Sequence, residues 1–107
     1  MDNLPDGYRV GQIVVSKRGK DAGHTYVIAG FLDENRLALA DARRFNVSRP
    51  KSKNPRHVQA TSRFVDEKMV VSIEGGRDID HGELRRFLAS SKKASVSEQR
   101  GRVANGK

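Results

Sequence analysis

Six cations fall between positions 43 and 56 with no acid among them: Arg43, Arg44, Arg49, Lys51, Lys53 and Arg56. Like charges at this density repel one another unless a polyanion neutralises them, and counterion release from phosphates would then supply binding free energy. Pro50 and Pro55 stiffen the segment, which lowers the entropy lost on binding. Phe45 and His57 flank the charges; either ring could stack on a base, although Phe45 fits a core position better. A second basic group lies upstream in Ser16-Lys17-Arg18-Gly19-Lys20-Asp21-Ala22-Gly23. Here Lys17, Arg18 and Lys20 accompany Gly19 and Gly23, which shape the turn and let the backbone approach a phosphate closely. Taken alone, such a turn reads first as solvated surface.

Enzymatic chemistry has no comparable signature. His24, His57 and His81 are too far apart in sequence for a local metal-ligand pattern, and there is no phosphate-binding P-loop and no Gly-x-Ser-x-Gly. Cysteine is absent, which excludes disulfides and thiolate metal sites and fits a reducing cytoplasm. The acidic pairs Asp33-Glu34 and Asp66-Glu67 sit in expected turns, where solvated carboxylates are the default. The expectation is therefore no catalytic residue, no metal, no cofactor and no small-molecule substrate.

The elements that must present these cations are short. Val10 to Lys17 and Thr25 to Leu32 are apolar, partly β-branched runs on either side of the Gly19–Gly23 turn, so they predict a hairpin. Arg36 to Ala40 alternates, with Leu37 and Leu39 on one face. Phe45 and Val47 would share a face of a fourth strand. Arg49 to Arg56 reads as a loop, and His57-Val58-Gln59 as a closing strand. Met69, Val71 and Ile73 alternate, so Lys68 to Glu74 reads as one more strand. Asp80 to Ser90 predicts a helix: Asp80 and Glu83 make a capping-box-like pair, and Leu84, Phe87 and Leu88 form one apolar stripe. That stripe is the ordinary face of a docked helix. Beyond Ser91 the chain is basic, without period, and reads as a disordered tail.

The chain has 107 residues, 36% of them hydrophobic, with no Trp, so one domain with a small core is expected. Its formal net charge of +8 attracts polyanions. No stretch is apolar enough to span a bilayer, and the acidic start, Met1 to Asp6, lacks the apolar core of a signal peptide.

The stretch from Gly11 to Val58 resembles the KOW motif. It is most similar to the branch holding large-subunit ribosomal proteins of the archaeal and eukaryotic L-fourteen type, with short bacterial relatives. The resemblance rests on Gly11-Gln12-Ile13-Val14-Val15-Ser16, Gly19-Lys20-Asp21-Ala22-Gly23, Tyr26-Val27-Ile28, Asp33-Glu34-Asn35, Ala40-Asp41, and Arg49-Pro50-Lys51-Ser52-Lys53 ahead of His57-Val58. It covers about half the chain. Ala42 stands where the family usually has glycine, and Arg43-Arg44 falls slightly earlier than the family's basic pair.

The resemblance implies a mainly β fold: a small SH3-like antiparallel barrel, here with a short C-terminal helix. The expected layout is an arm over residues 1–8, a barrel over 9–65, an appendage over 66–90 and a basic tail over 91–107. It also implies binding to ribosomal RNA of the large subunit, by a cytoplasmic, ribosome-associated monomer. The expected RNA contacts are Lys17, Arg18, Lys20, Arg43, Arg44, Arg49, Lys51, Lys53 and Arg56. SH3-like barrels also bind proteins, so an adaptor of the translation or transcription machinery is the second expectation. An exposed apolar patch would favour that reading, and a continuous basic stripe would favour RNA.

Overall fold

The structure, a computed structural model, describes residues 8–88. Five antiparallel strands form one open sheet: β1 (Gln12–Ser16), β2 (Thr25–Asp33), β3 (Arg36–Ala40), β4 (Lys51–Lys53) and β5 (Val58–Phe64), in the order β4-β3-β2-β1-β5. A single 3-10 turn, Pro55–His57, links β4 to β5. Two short helices follow, α1 (Glu67–Glu74) and α2 over residues 81–88. No helix among the described residues is long and apolar enough to cross a membrane. The expected disordered tail and most of the arm lie outside the described residues, as do the last two positions of the expected C-terminal helix.

The central strands are buried on both faces, because successive side chains point to opposite sides. On one face Val14, Tyr26, Ile28, Leu37, Leu39 and Val58 form a cluster, with Phe45, Phe31 and Tyr8 packed against it. On the other, Ile13, Val27 and Ala40 meet Val65, Met69, Ile73, Ile79 and Leu84. The helices are thus the cover of the second face. Leu84 is fully buried there, with Phe87 and Leu88 beside it, so the expected stripe of α2 docks as anticipated. Asp80 caps that helix, accepting from the Glu83 N–H at 3.0 Å.

Three expectations are corrected. Residues 68–74 are helical, not extended. Asp66 accepts from the Met69 N–H, and Gly76, at φ +83°, ends the helix. Gly76 N–H donates to Ile73 O, and Arg77 N–H to Ser72 O, which is a Schellman closure. The alternation of Met69, Val71 and Ile73 misleads because its outer members are also an i, i+4 pair. Met69 and Ile73 are buried together, while Val71 is exposed. Second, Arg49 to Arg56 is not all loop: Lys51–Lys53 pairs with β3 as Leu37↔Lys53 and Leu39↔Lys51. Third, Phe45 and Val47 do not share a strand face. Phe45 packs in one cluster and Val47 in the other, and only an isolated bridge, Asn46↔Arg49, forms there.

Candidate nucleic-acid interface

The Asp21 carboxylate organises the turn between β1 and β2. Its Oδ1 accepts from Ser16 Oγ at 2.9 Å and from Lys53 Nζ at 2.8 Å, and its Oδ2 accepts from Tyr26 OH at 2.7 Å. Lys53 Nζ also donates to Arg18 O at 2.9 Å. One ammonium therefore ties β4, at the edge of the sheet, to the hairpin tip. The contact is well shielded: the Lys53 side chain is 11% exposed and that of Asp21 20%. Burial pushes the Asp21 carboxyl up, but the three hydrogen bonds and the adjacent ammonium outweigh it and hold the group well below the usual carboxylate range. Burial, reinforced by Asp21, pushes the Tyr26 phenol up, so it remains a donor.

Gly19 and Gly23 both lie at positive φ, +88° and +92°. At Gly23 an added Cβ would meet nothing within 4 Å, so the backbone conformation, rather than crowding, is what calls for glycine.

The second loop follows β3 and wraps around another acid. Asp41 Oδ1 accepts from the backbone N–H groups of Arg43, Arg44 and Phe45 at 2.9–3.1 Å. His24 Nε2 lies 2.8 Å from Asp41 Oδ2. An ionised carboxylate only accepts, so Nε2 carries the proton. Burial pushes the Asp41 carboxyl up, and the backbone donors together with His24 more than reverse this, leaving it lowered. Ala42 sits at φ +64°, in the left-handed region, where the KOW-like pattern has glycine. The His24 ring meets Tyr26 edge-on, with centroids 4.7 Å apart. The two acids are thereby linked through Tyr26 and His24, and so are the two loops they hold.

Between the loops is a cleft lined by Lys20, His24, Tyr26, Arg44 and Phe45, with the hydrogen-bonded carboxylates of Asp21 and Asp41 in its wall. Lys51 Nζ lies 5.1 Å from the Phe45 ring centroid and Arg44 Cζ 5.8 Å from it. Lys20, Arg44 and Lys51 therefore belong to one surface. Arg43 lines a different cleft, against α2. Lys17 stands at the end of β1, its backbone N–H bonded to His57 O, next to the exposed Arg56. Arg49 is exposed on the far side of the Asn46 bridge.

Among the described residues, Lys53 is set apart from the other expected contacts, since its ammonium is engaged within the protein. Phe45 is half-buried, packed on the core and faced by two cations, so it supports the surface rather than offering a bare ring. Sequence reasoning missed the acids. Asp21 and Asp41 look like ordinary turn residues, yet they fix the geometry of both basic loops. No group of three or more metal-ligating side chains occurs among the described residues. No family model and no curated protein matches the chain.

Proposed function

We propose that the chain is an RNA-binding module that docks on structured RNA, ribosomal RNA of the large subunit being the favoured target, chiefly through phosphates. One observation carries this reading: Lys20, from the hairpin tip, and Arg44, from the loop after β3, line a common cleft with Lys51 adjacent across Phe45. Cations distant in sequence converge on a surface whose two loops are pinned by internal carboxylates. Preorganised cations lose little entropy on meeting a phosphate backbone. The net charge of +8 adds long-range attraction.

An SH3-like barrel of the KOW type is the form this reading gives the sheet. Its support is the cluster of Val14, Tyr26, Ile28, Leu39 and Val58, drawn from four strands onto one enclosed face. Tyr8 OH adds a strap, donating to Pro55 O at 2.9 Å beside the start of β5.

The salt dependence of binding to a structured ribosomal RNA fragment tests the reading. With about six phosphates neutralised, log K falls against log salt with a slope of about −4 to −5. Replacing Lys20, Arg44 and Lys51 together by Ala reduces that slope by about 2–3 and weakens binding at every salt concentration. A flat salt dependence, or an unchanged slope in the triple variant, overturns the proposal and leaves the protein-adaptor reading.

A further inference from the structure

A second cleft lies on the other side of the His24–Asp41 pair, between the loop after β3 and helix α2. His24, Arg43, His81 and Arg85 line it, with Gly23, Thr25 and Leu88 completing the walls and Asp41 as the sole acid. We propose that this cleft is a phosphoryl-binding site, formed jointly by the sheet and α2. RNA backbone as the source of the phosphate rests on the function proposed above; the site itself does not.

The chemistry favours a phosphate in three ways. First, the hydrogen-bond donors approach from different elements. Arg43 comes from the loop after β3, whereas His81 and Arg85 are an i, i+4 pair on one face of α2. A group lodged between them is gripped from two sides. Guanidinium groups suit this task because their forked donors match phosphate oxygens bidentately. Second, the one acid is already saturated. Asp41 Oδ1 takes three backbone N–H groups and Oδ2 takes His24, so its charge is spread into the loop. Two guanidiniums against one carboxylate leave the site at formal +1; the Nε2–H of His24 is already given to Asp41, so His81 is the imidazole that offers a ring N–H to a ligand.

Third, the walls are held at a fixed separation by contacts outside the cleft. Asn46 hydrogen-bonds both backbone polar groups of Ile79, and Asp78 accepts from Ser48 N–H at 2.7 Å and from Ser48 Oγ at 2.9 Å. These bonds fasten the segment leading into α2 onto the loop that carries Arg43. Leu84, fully buried, anchors α2 from below. The cleft measures about 550 Å³, in the size class of small-ligand sites (~300–1,000 Å³), so a phosphate with its attached sugar fits.

The test is an amide NMR titration of the full chain with inorganic phosphate, followed by affinity measurements with the structured RNA. Expected are saturable shifts confined to Gly23, Thr25, Arg43 and the start of α2, weakened at least tenfold by Arg85→Gln or His81→Gln. Both residues are exposed, so neither change threatens the fold. Arg63→Gln, exposed on β5 and outside both clefts, leaves the phosphate response intact. Shifts that do not saturate, or that Arg85→Gln leaves unchanged, overturn the site. If Arg85→Gln also weakens RNA binding severalfold, the RNA backbone is the phosphate's source; if RNA binding is unaffected, the site takes a free phosphate compound. Saturable phosphate binding by a chain that binds no RNA would retire the proposed function and leave the site standing.

Discussion

Asn46 grips Ile79 by both of that residue's backbone polar groups: Nδ2 donates to Ile79 O at 3.1 Å, and Oδ1 accepts from Ile79 N–H at 2.8 Å. A side-chain amide here imitates a strand partner across 33 positions of sequence. Asn46→Ala leaves both groups without that partner next to a buried Ile side chain, at a loss of about 1–3 kcal/mol. Asn46→Asp keeps the acceptor and loses the donor, so it rescues only part. Thermal melts should rank the parent first, Asn46→Asp second and Asn46→Ala last, and hydrogen exchange should report faster opening of α2 in Asn46→Ala. Equal melting temperatures would show that Leu84 and its neighbours hold α2 without the amide.

Lys51 and Lys53 stand two residues apart on β4, and the structure assigns them opposite behaviour. Lys53→Ala removes the ammonium that ties β4 to Asp21 and Arg18 O, so it should lower stability, by about 1–2 kcal/mol. Lys51→Ala should leave the melting temperature nearly unchanged and weaken RNA binding. Measuring both properties for both variants separates the roles. A Lys53→Ala protein as stable as the parent would contradict the bridge's importance.

Acid should act through Asp21 and Asp41. Both carboxyls are held below their ordinary values in the folded chain. As pH falls, the unfolded chain therefore takes up these protons first, and stability falls with it. The contribution is complete above the unfolded carboxylate range and is lost progressively from about pH 5 downward, through each group's lowered folded value. Asp21→Asn should thus be less stable than the parent at pH 7, with the gap between the two curves narrowing steadily from about pH 5 down to pH 2. Denaturant midpoints measured at intervals from pH 7 to pH 2 decide it, and parallel curves would count against the assignment.

Gly23 and Gly11 share a φ of +92° but differ in surroundings. An added Cβ at Gly23 meets open space, whereas at Gly11 it would stand 2.6 Å from Val70 Cγ2. Gly23→Ala and Gly23→Val should each cost about 1–3 kcal/mol, from backbone strain alone. Gly11→Ala should cost more, because β1 and α1 meet there, and Val70→Ala in the same chain should narrow the difference. Identical losses at the two sites in melts would rule out the close approach.

Much of the sheet was legible in the residues. Ile13-Val14-Val15 and Tyr26-Val27-Ile28 are β-branched or aromatic runs around a glycine turn, and local chemistry suffices to make them a hairpin. Strand β4 was not legible. Lys-Ser-Lys has no apolar member, and it is extended only because β3 supplies the partner, a tertiary override of local preference. Helix α1 was misread because three alternating apolar residues contain an i, i+4 pair; the cap at Asp66 and the glycines at 75 and 76 were the better guide. In the candidate interface, residue type revealed the cations but not their availability. Lys53 and Asp21 are 32 positions apart, and His24 and Asp41 are 17 apart. Nothing local marks either pair, so the difference between a free cation and a tethered one appears only once the strands are in register.

The double-sided burial of the sheet bears on how the chain survives in a cell. β1 sends Ile13 into one hydrophobic layer and Val14 into the other, and the layer around Ile13 is closed by side chains from Val65 to Leu84. A polypeptide stopped after Phe64 would keep all five strands and every cation of the two basic loops. It would also leave Ile13, Val27 and Ala40 facing water. Such a fragment would meet chaperones and proteases before it met any nucleic acid. A premature stop between Val65 and Leu84 should therefore be felt as loss of abundance rather than as altered recognition, and the smallest self-sufficient folding unit includes both helices.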